Sequence, residues 1–528
     1  MKKVLFSLFF ILCALFIFSA VKVSATDTGV VTITDGASVR TENPSGLRFE
    51  ATVSGEFEGS AISYGFVLTR GTFTKDQVIA LDVEKKVEVD CGEPNGEGKY
   101  NVTITNIPEE GYTGPVTALA YVKVDGVNRY SSAAVTRNIA DVARTEYNEN
   151  NNPAALVTTI AEATRVKVTH NNSTVNYYGT LAAAITATFA EGDTVELVKG
   201  TYDDALTISV DDFTLKGNIE YNLKHDDTYT SSNRDTVLEG ALTITGDDFK
   251  LQNVVFSNQV KLNGADDASI SHCVSTTPVT NDILYAIGTI TSECKNLTVE
   301  NVAVAGSVNR FVYGYGAIIN GLTVNNCCVL DSVTINSGSS VGICDFIRLG
   351  QTTDNKSAGT ITVSNCYIRA FQSGFTDRKA GGDVYNFINN YFYDMPNAIY
   401  SKDDSVKAGI VYNITYNTFN NCLKSNKGWD VVEIDPESNK TVNVNYNAFA
   451  NTGTRDNCYS ISVLSTATKD CSNNYFKGDA DRVVNNVTPT DWSLEEDTTT
   501  VNTYDPYQIV QIAGHYYIYG VNLKHVDE

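Results

Sequence analysis

Asn389-Asn390-Tyr391-Phe392 is followed by Tyr416-Asn417-Thr418-Phe419, Tyr446-Asn447-Ala448-Phe449 and Asn473-Asn474-Tyr475-Phe476. Earlier variants of the phrase are Asn253-Val254-Val255-Phe256, Asn301-Val302-Ala303-Val304, Asn326-Cys327-Cys328-Val329 and Asn365-Cys366-Tyr367-Ile368. Counted between final residues from Ile368 onward, the steps are 24, 27, 30 and 27 residues. Short β-type runs at an irregular period of this length predict a solenoid, each coil resting on the one before. The test is whether Phe392, Phe419 and Phe449 lie in one column.

The second position of the phrase holds Cys273, Cys327 and Cys366 early and Asn390, Asn417, Asn447 and Asn474 later. A slot that takes Val, Cys and Asn is predicted to face inward. Free Cys acts there as a small hydrophobe. Coils stacked about 4.8 Å apart let an inward Asn bond its counterpart and the next backbone, which satisfies groups otherwise costly to bury. These Asn residues are read as structural. The chain has 11 Cys with no paired C-x-x-C spacing, and its 5 His do not cluster, which argues against zinc.

Met1-Lys2-Lys3, the apolar run Val4 to Val21 and the small residue at Ala25 predict a secretory signal over 1–25. The protein is therefore expected to be extracellular, free or at a cell surface, without stable membrane insertion after cleavage. Its net charge of -23 repels nucleic acid, while leaving room for a local basic groove. Residues 26–147 read as six or seven strands punctuated by Gly, Asn, Pro and Asp, the pattern of a β-sandwich. Residues 148–174 read as a linker with a short helix from Pro153, capped by Asn152.

The solenoid is expected over 175–487. Its start, a helix over Leu181 to Ala190 followed by Gly192-Asp193-Thr194-Val195 and Gly200-Thr201-Tyr202, resembles right-handed parallel β-helix proteins of the pectate-lyase type. The resemblance implies that this helix caps the first coil. Asp211-Asp212-Phe213 and Asp247-Asp248-Phe249, with Asp266-Asp267-Ala268 after them, read as turn residues bonding their own backbone. The aromatic stretch after Val487 reads as an end cap over 488–528. The fold class expected is all-β, a right-handed parallel β-helix preceded by a β-sandwich.

A coiled solenoid carries function on a lateral groove, at equal offsets on neighbouring coils. Ten residues past Ile368, Phe392, Phe419 and Phe449 stand Arg378, Lys402, Trp429 and Tyr459. One further on stand Lys379, Asp403, Asp430 and Ser460, with Asp377, Asp404 and Arg455 close by. The expected reading is a cleft for an acidic polysaccharide or cell-surface glycan. Lys402 and Arg378 would be the catalytic bases of a β-elimination, since a neighbouring cation depresses such a pKa. Trp429, Tyr459, Lys379 and Arg455 would bind substrate. Asp377, Asp403, Asp404 and Asp430 would hold Ca2+, which neutralises the substrate acid.

Two other readings stand beside it. Asp403 and Asp404 with Asp377 or Asp430 supply the paired carboxyl groups of a glycoside hydrolase. Mixed charge at turns equally describes a solvated face, so a non-catalytic glycan-binding or structural β-helix is the alternative. The Arg-x-Pro-x-x-Arg phrase of pectate lyases is absent, as are the Asn-Thr-Asp, Gly-His-Gly and Arg-Ile-Lys phrases of polygalacturonases. Asn417-Thr418-Phe419 resembles alginate and chondroitin lyases, but Leu423-Lys424-Ser425-Asn426-Lys427 stands where Leu-Arg-His-Gly should follow. Gly338-Ser339-Ser340-Val341-Gly342 matches an esterase pattern without the strand-turn-helix context that pattern needs.

Overall fold

The computed structural model describes residues 28–59, 61–150, 153–163, 166–186, 189–219, 223, 225–230, 235–278, 285–314, 317–333, 344–350, 358–378, 381–401, 409–422, 430–434, 440–450, 459–463, 466–477, 484–485, 493–495, 508–512 and 515–519. The chain divides into two compact units, Met1–Thr164 and Arg165–Glu528. No helix among the described residues is long and apolar enough to cross a membrane.

The first unit holds two antiparallel sheets. Gly46–Ser54 pairs with Val30–Ile33, Ser38–Arg40 and Lys99–Thr105 in one; Ile62–Arg70 pairs with Val87–Asp90 and Val116–Val124 in the other. Alternate residues of both, such as Leu47, Phe49, Phe66, Ala118, Ala120 and Val122, share one apolar core. Two helices, Ile139–Glu149 and Ala155–Glu162, add Ile139, Val142, Ala143, Val157 and Ile160 to that core. The first of these helices was not anticipated from the sequence. Its signal was Asn138, whose side chain accepts from the Asp141 N–H at 2.7 Å, ahead of an apolar i, i+3, i+4 face. The second starts at Ala155 with Ala154 at its N-cap and no side-chain cap bond, so the capping expected of Asn152, which lies outside the described residues, is replaced.

The second unit is a parallel β-helix, right-handed as parallel crossovers are. Each full coil contributes three strands. Val384–Ile388 leads through the corner Asn389-Asn390 into Tyr391–Tyr393, and a turn then delivers Asn397–Ser401. The first two strands of each coil build one long sheet; the third builds a second sheet, of 11 strands among the described residues. At the start, Val166–Thr169 and Val175–Tyr178 form an antiparallel hairpin, and helix Leu181–Thr186 sends Leu181 and Ala184 into the core. At the far end Ser493–Glu495 still pairs in parallel with Tyr475–Lys477, so the coil rhythm runs past Val487. Gln508–Ile512 and His515–Tyr519 form a hairpin beyond it.

The recurring phrase is the corner of the coil. Its first residue has positive φ in every instance, between 53° and 61°, at Asn253, His272, Asn301, Asn326, Asn365, Asn389, Tyr416, Tyr446 and Asn473. Asn tolerates this left-handed geometry better than most residues, which explains its frequency there. The second residue points inward. Ile368, Phe392, Phe419, Phe449 and Phe476 stand in register, and the rings of Phe392, Phe419 and Phe449 stack at 5.1 Å and 4.7 Å. The Asn ladder exists as expected: the main-chain N–H groups of Cys366, Asn390, Asn417 and Asn447 each donate to the side-chain oxygen of the next Asn, at 2.9–3.0 Å. Cys273, Cys327 and Cys366 fill the same slot, buried and unpaired, and burial pushes the Cys273 thiol up to about 12. The Asp pairs are turn residues too. Asp211 and Asp247 side chains accept from the next coil's main chain at 2.9 and 2.8 Å.

Candidate functional site in the second sheet

Six successive coils of the second sheet carry polar residues at two positions three apart, with mostly apolar residues between. The instances are Arg310-Phe311-Val312-Tyr313, Asp345-Phe346-Ile347-Arg348, Ser373-Gly374-Phe375-Thr376, Asn397-Ala398-Ile399-Tyr400, Asp430-Val431-Val432-Glu433 and Tyr459-Ser460-Ile461-Ser462. Val312, Ile347, Phe375, Ile399, Val432 and Ile461 stand in register and are buried in the core. Two polar rows therefore run along the sheet, with Asp345, Arg348, Ser373, Thr376 and Asn397 buried within them. One is Tyr313, Arg348, Thr376, Tyr400, Glu433 and Ser462, in direct register. The other is Arg310, Asp345, Ser373 and Asn397 in register, continued in phase by Asp430 and Tyr459.

Asp430 is the centre of one cluster. Its side chain accepts from the Tyr459 main-chain N–H at 2.7 Å, and its own main-chain N–H donates to Glu433 Oε2 at 3.4 Å. Asn397 donates its side-chain amide to the Asp430 carbonyl at 2.5 Å. Burial pushes the Asp430 carboxyl above the ordinary carboxylate range; hydrogen bonds from Tyr459 and Ser462 hold it back only in part. The half-buried Tyr400 ring lies in register beside Glu433, and the Arg378 guanidinium approaches that ring at 6.0 Å. Arg378 Nε is buried without a hydrogen-bond partner.

Asp345 centres a second cluster. It is fully buried, accepting from Arg348 Nη1 at 3.0 Å and from the Thr376 hydroxyl at 2.7 Å. Burial raises its carboxyl, and Thr376, Arg348 and Arg310 pull against that rise. Arg310 lies over the Tyr313 ring at 4.8 Å, and Tyr313 stacks on Tyr285 at 5.3 Å.

Of the residues expected from sequence, Arg378, Asp430 and Tyr459 lie on strands or strand entries of this one sheet. Asp377 is there too, but it faces the other way. Its fully buried carboxylate accepts from the Tyr385 hydroxyl at 2.5 Å inside the coil. It is in register with Ser401 and then Ile434, four residues past Asp430. Asp377 and Asp430 thus lie on opposite faces, and the structure does not bring these two together. Equal offsets fail for a simple reason. Phe392 to Ser401 is nine residues, whereas its register partner Phe419 to Ile434 is fifteen, so six extra residues separate the two strands. Lys379, Lys402, Asp403, Asp404, Trp429 and Arg455 lie outside the described residues. No group of three or more His, Cys, Asp or Glu able to hold a metal ion occurs among the described residues.

Sequence reasoning missed Asp345, Arg348, Arg310, Tyr313, Tyr400 and Glu433. The signal was the recurring polar-apolar-apolar-polar phrase, whose polar positions are not fixed to one residue type.

No protein-family model and no curated protein matches the chain. Among solved structures, the catalytic unit of a thermostable GH87 alpha-1,3-glucanase from Streptomyces thermodiastaticus strain HF3-3 is similar at 11% identity and a TM-score of 0.33, over 90% of this chain and 97% of that one. A likeness at that level does not bear on activity.

Proposed function

We propose that the outer face of the second sheet is a groove that binds and cleaves a polysaccharide, with Asp430 and Glu433 as a carboxyl pair for glycoside hydrolysis. One observation carries this reading. Asp430, lifted by burial towards its protonated form, sits three residues from Glu433 on the same outward strand face. Two carboxyl groups in different environments are what acid-assisted hydrolysis needs. Asp430 gives its proton to the glycosidic oxygen as the C–O bond breaks. Glu433 takes a proton from the water whose oxygen bonds the anomeric carbon. Tyr400 and Tyr459, on the coils either side, offer ring surface to the flanking sugars. The export expected of residues 1–25 belongs to the same proposal.

Elimination is the second reading, favoured by Arg378 with its unpartnered buried Nε beside Tyr400. There a base removes the C5 proton of a uronic acid, the glycosidic bond breaks and a C4–C5 double bond forms. Incubation with neutral and uronic polysaccharides, followed by reducing-end and ultraviolet assays, separates the readings. Hydrolysis yields reducing ends alone, lost in Asp430→Asn and Glu433→Gln. Elimination adds absorbance from unsaturated products, lost in Arg378→Ala. Retention on a glycan column with neither product would leave the non-catalytic binder.

A further inference from the structure

We propose that Cys327 and Cys366 become joined, when the chain folds under oxidising conditions, by a disulfide that staples two neighbouring coils through the inward corner slot. The structure describes both as thiols. The two sulfurs occupy equivalent places one coil apart. Cys327 Sγ lies 3.7 Å from the Val299 carbonyl and 3.4 Å from that of Asn325. Cys366 Sγ lies 3.7 Å from the Val324 carbonyl and 3.1 Å from that of Ser364. Val299 stands in register with Val324, Asn325 with Ser364, and the following residues Cys328 and Tyr367 with each other. In-register residues of stacked strands are about 4.8 Å apart, inside the ~4.4–6.8 Å that a disulfide spans between Cα atoms. The Cys327 and Cys366 thiols also hydrogen-bond each other, so the sulfurs face one another. No other two described cysteines stand in register on adjacent coils.

The place of the pair in the chain points the same way. From Cys327 to Cys366 is 39 residues, against 19–30 for every other step between slot residues from Val254 to Asn474. The two thiols therefore bracket the longest of these coils, whose strand Asp345–Gly350 carries Asp345 and Arg348. A cross-link stabilises by removing freedom from the unfolded chain, and removes more of it the longer the loop it closes. Later coils are tied at the same slot by amide hydrogen bonds between Asn390, Asn417, Asn447 and Asn474. A thiol is too weak a donor to do that work, and a covalent bond replaces it.

The bond forms by thiol–disulfide exchange. One thiol loses its proton and attacks a disulfide-bearing oxidant, expelling one oxidant thiolate. The second then attacks the mixed disulfide, which makes the protein S–S bond and expels the other half of the oxidant. Two protein thiols and one oxidant disulfide become one protein disulfide and two oxidant thiols. Both cysteines are fully buried in the folded chain, and burial pushes the Cys327 thiol well above its ordinary value. The pair is thus out of an oxidant's reach once the coil has closed. Exchange belongs to folding, and burial afterwards shields the bond from reductants. The export expected of residues 1–25 would place folding where such oxidants act.

The test is to refold the full chain with oxidised glutathione, and in parallel with reductant, then block free thiols in denaturant and map linked peptides by mass spectrometry. With reductant present the two thiols stay apart, and substitutions at either position report on packing alone. The oxidised chain should yield a peptide pair linked through Cys327 and Cys366. The link should persist in Cys328→Val, which removes the adjacent thiol, and vanish in Cys366→Val. Val already fills the slot at Val254 and Val302, so the second variant keeps the packing, and circular dichroism confirms its fold. The oxidised parent should melt on the order of 5 °C above the reduced one, a gap absent from Cys366→Val. Free thiols at both positions in the oxidised chain, or a link from either to a different cysteine, overturn the disulfide. A link that leaves the melting temperature unchanged overturns the staple.

Discussion

Asn417 Oδ1 accepts both the main-chain N–H and the side-chain amide of Asn390, at 2.9 and 3.0 Å. Its own amide donates to the Phe387 carbonyl at 2.8 Å. One side chain thus settles three groups at a corner with no access to water. Asn417→Ala should leave them unpaired and cost at least roughly 3 kcal/mol, since each of the three buried polar groups left alone costs about 1–3. Denaturant unfolding measures this. A loss below about 1 kcal/mol would show that the ladder only decorates a corner held by other forces.

Cys366 occupies the slot directly before the ladder. Its N–H already donates to Asn390, and its thiol lies 3.7 Å from the Val324 carbonyl, where Asn390 reaches Val363 one coil later. Cys366→Asn should therefore extend the ladder by one rung and change stability by less than about 1 kcal/mol, because the new amide finds acceptors in place. A large loss in the same unfolding measurement would mean that the early coils are too narrow for an amide.

Phe419 lies between Phe392 and Phe449, its ring 8° and 17° from theirs. Phe419→Ala should cost about 3–5 kcal/mol through lost transfer energy and the cavity left behind. Phe419→Leu keeps most of the volume and loses the ring stacking, so roughly 1–2 kcal/mol is expected. A thermal melt resolves the two. Equal losses would mean that stacking, not volume, holds the column.

The architecture was legible because a corner constrains residue type. A positive φ at Asn389 and an inward amide at Asn390 leave a narrow menu, and the chain reuses it coil after coil. The polar rows of the second sheet were less legible because their positions are free to vary. Arg310, Asp345, Ser373, Asn397 and Asp430 share a row yet vary from cation to neutral polar group to carboxyl. Counting from the corner also carries every turn insertion forward, which is how Lys379 and Asp430 came to be matched. Counting from the apolar pair inside each strand, as in Phe346-Ile347 and Val431-Val432, would have recovered the register.

Asp377 tests that register. Its carboxylate faces inward and accepts from Tyr385, whose ring stacks on Tyr412 at 4.7 Å. Tyr385→Phe removes the donor while preserving the stack, and should destabilise by about 1–3 kcal/mol. Added calcium should leave the melting temperature of parent and variant equally displaced. Calcium stabilisation that vanishes only in Asp377→Asn would return that residue to a metal site.

Asp430 couples stability to chemistry in opposite directions. Burial raises its folded-state pKa above the ordinary 3.8, so the folded protein holds the proton more tightly than the unfolded chain. Its contribution is complete below pH 3.8 and is lost as pH rises from there through the raised value. Asp430→Asn fixes the neutral form. The variant should match the parent in strong acid and become the more stable of the two towards neutral pH, the gap opening across that window. Hydrolysis should meanwhile fall by about 10²–10⁴, the usual weight of a general acid. Parallel unfolding and reducing-end assays across pH 3–8 give both curves. A variant less stable than the parent at neutral pH would mean the carboxylate is held charged, and Asp430 would then be a structural anchor for Tyr459 rather than a proton donor.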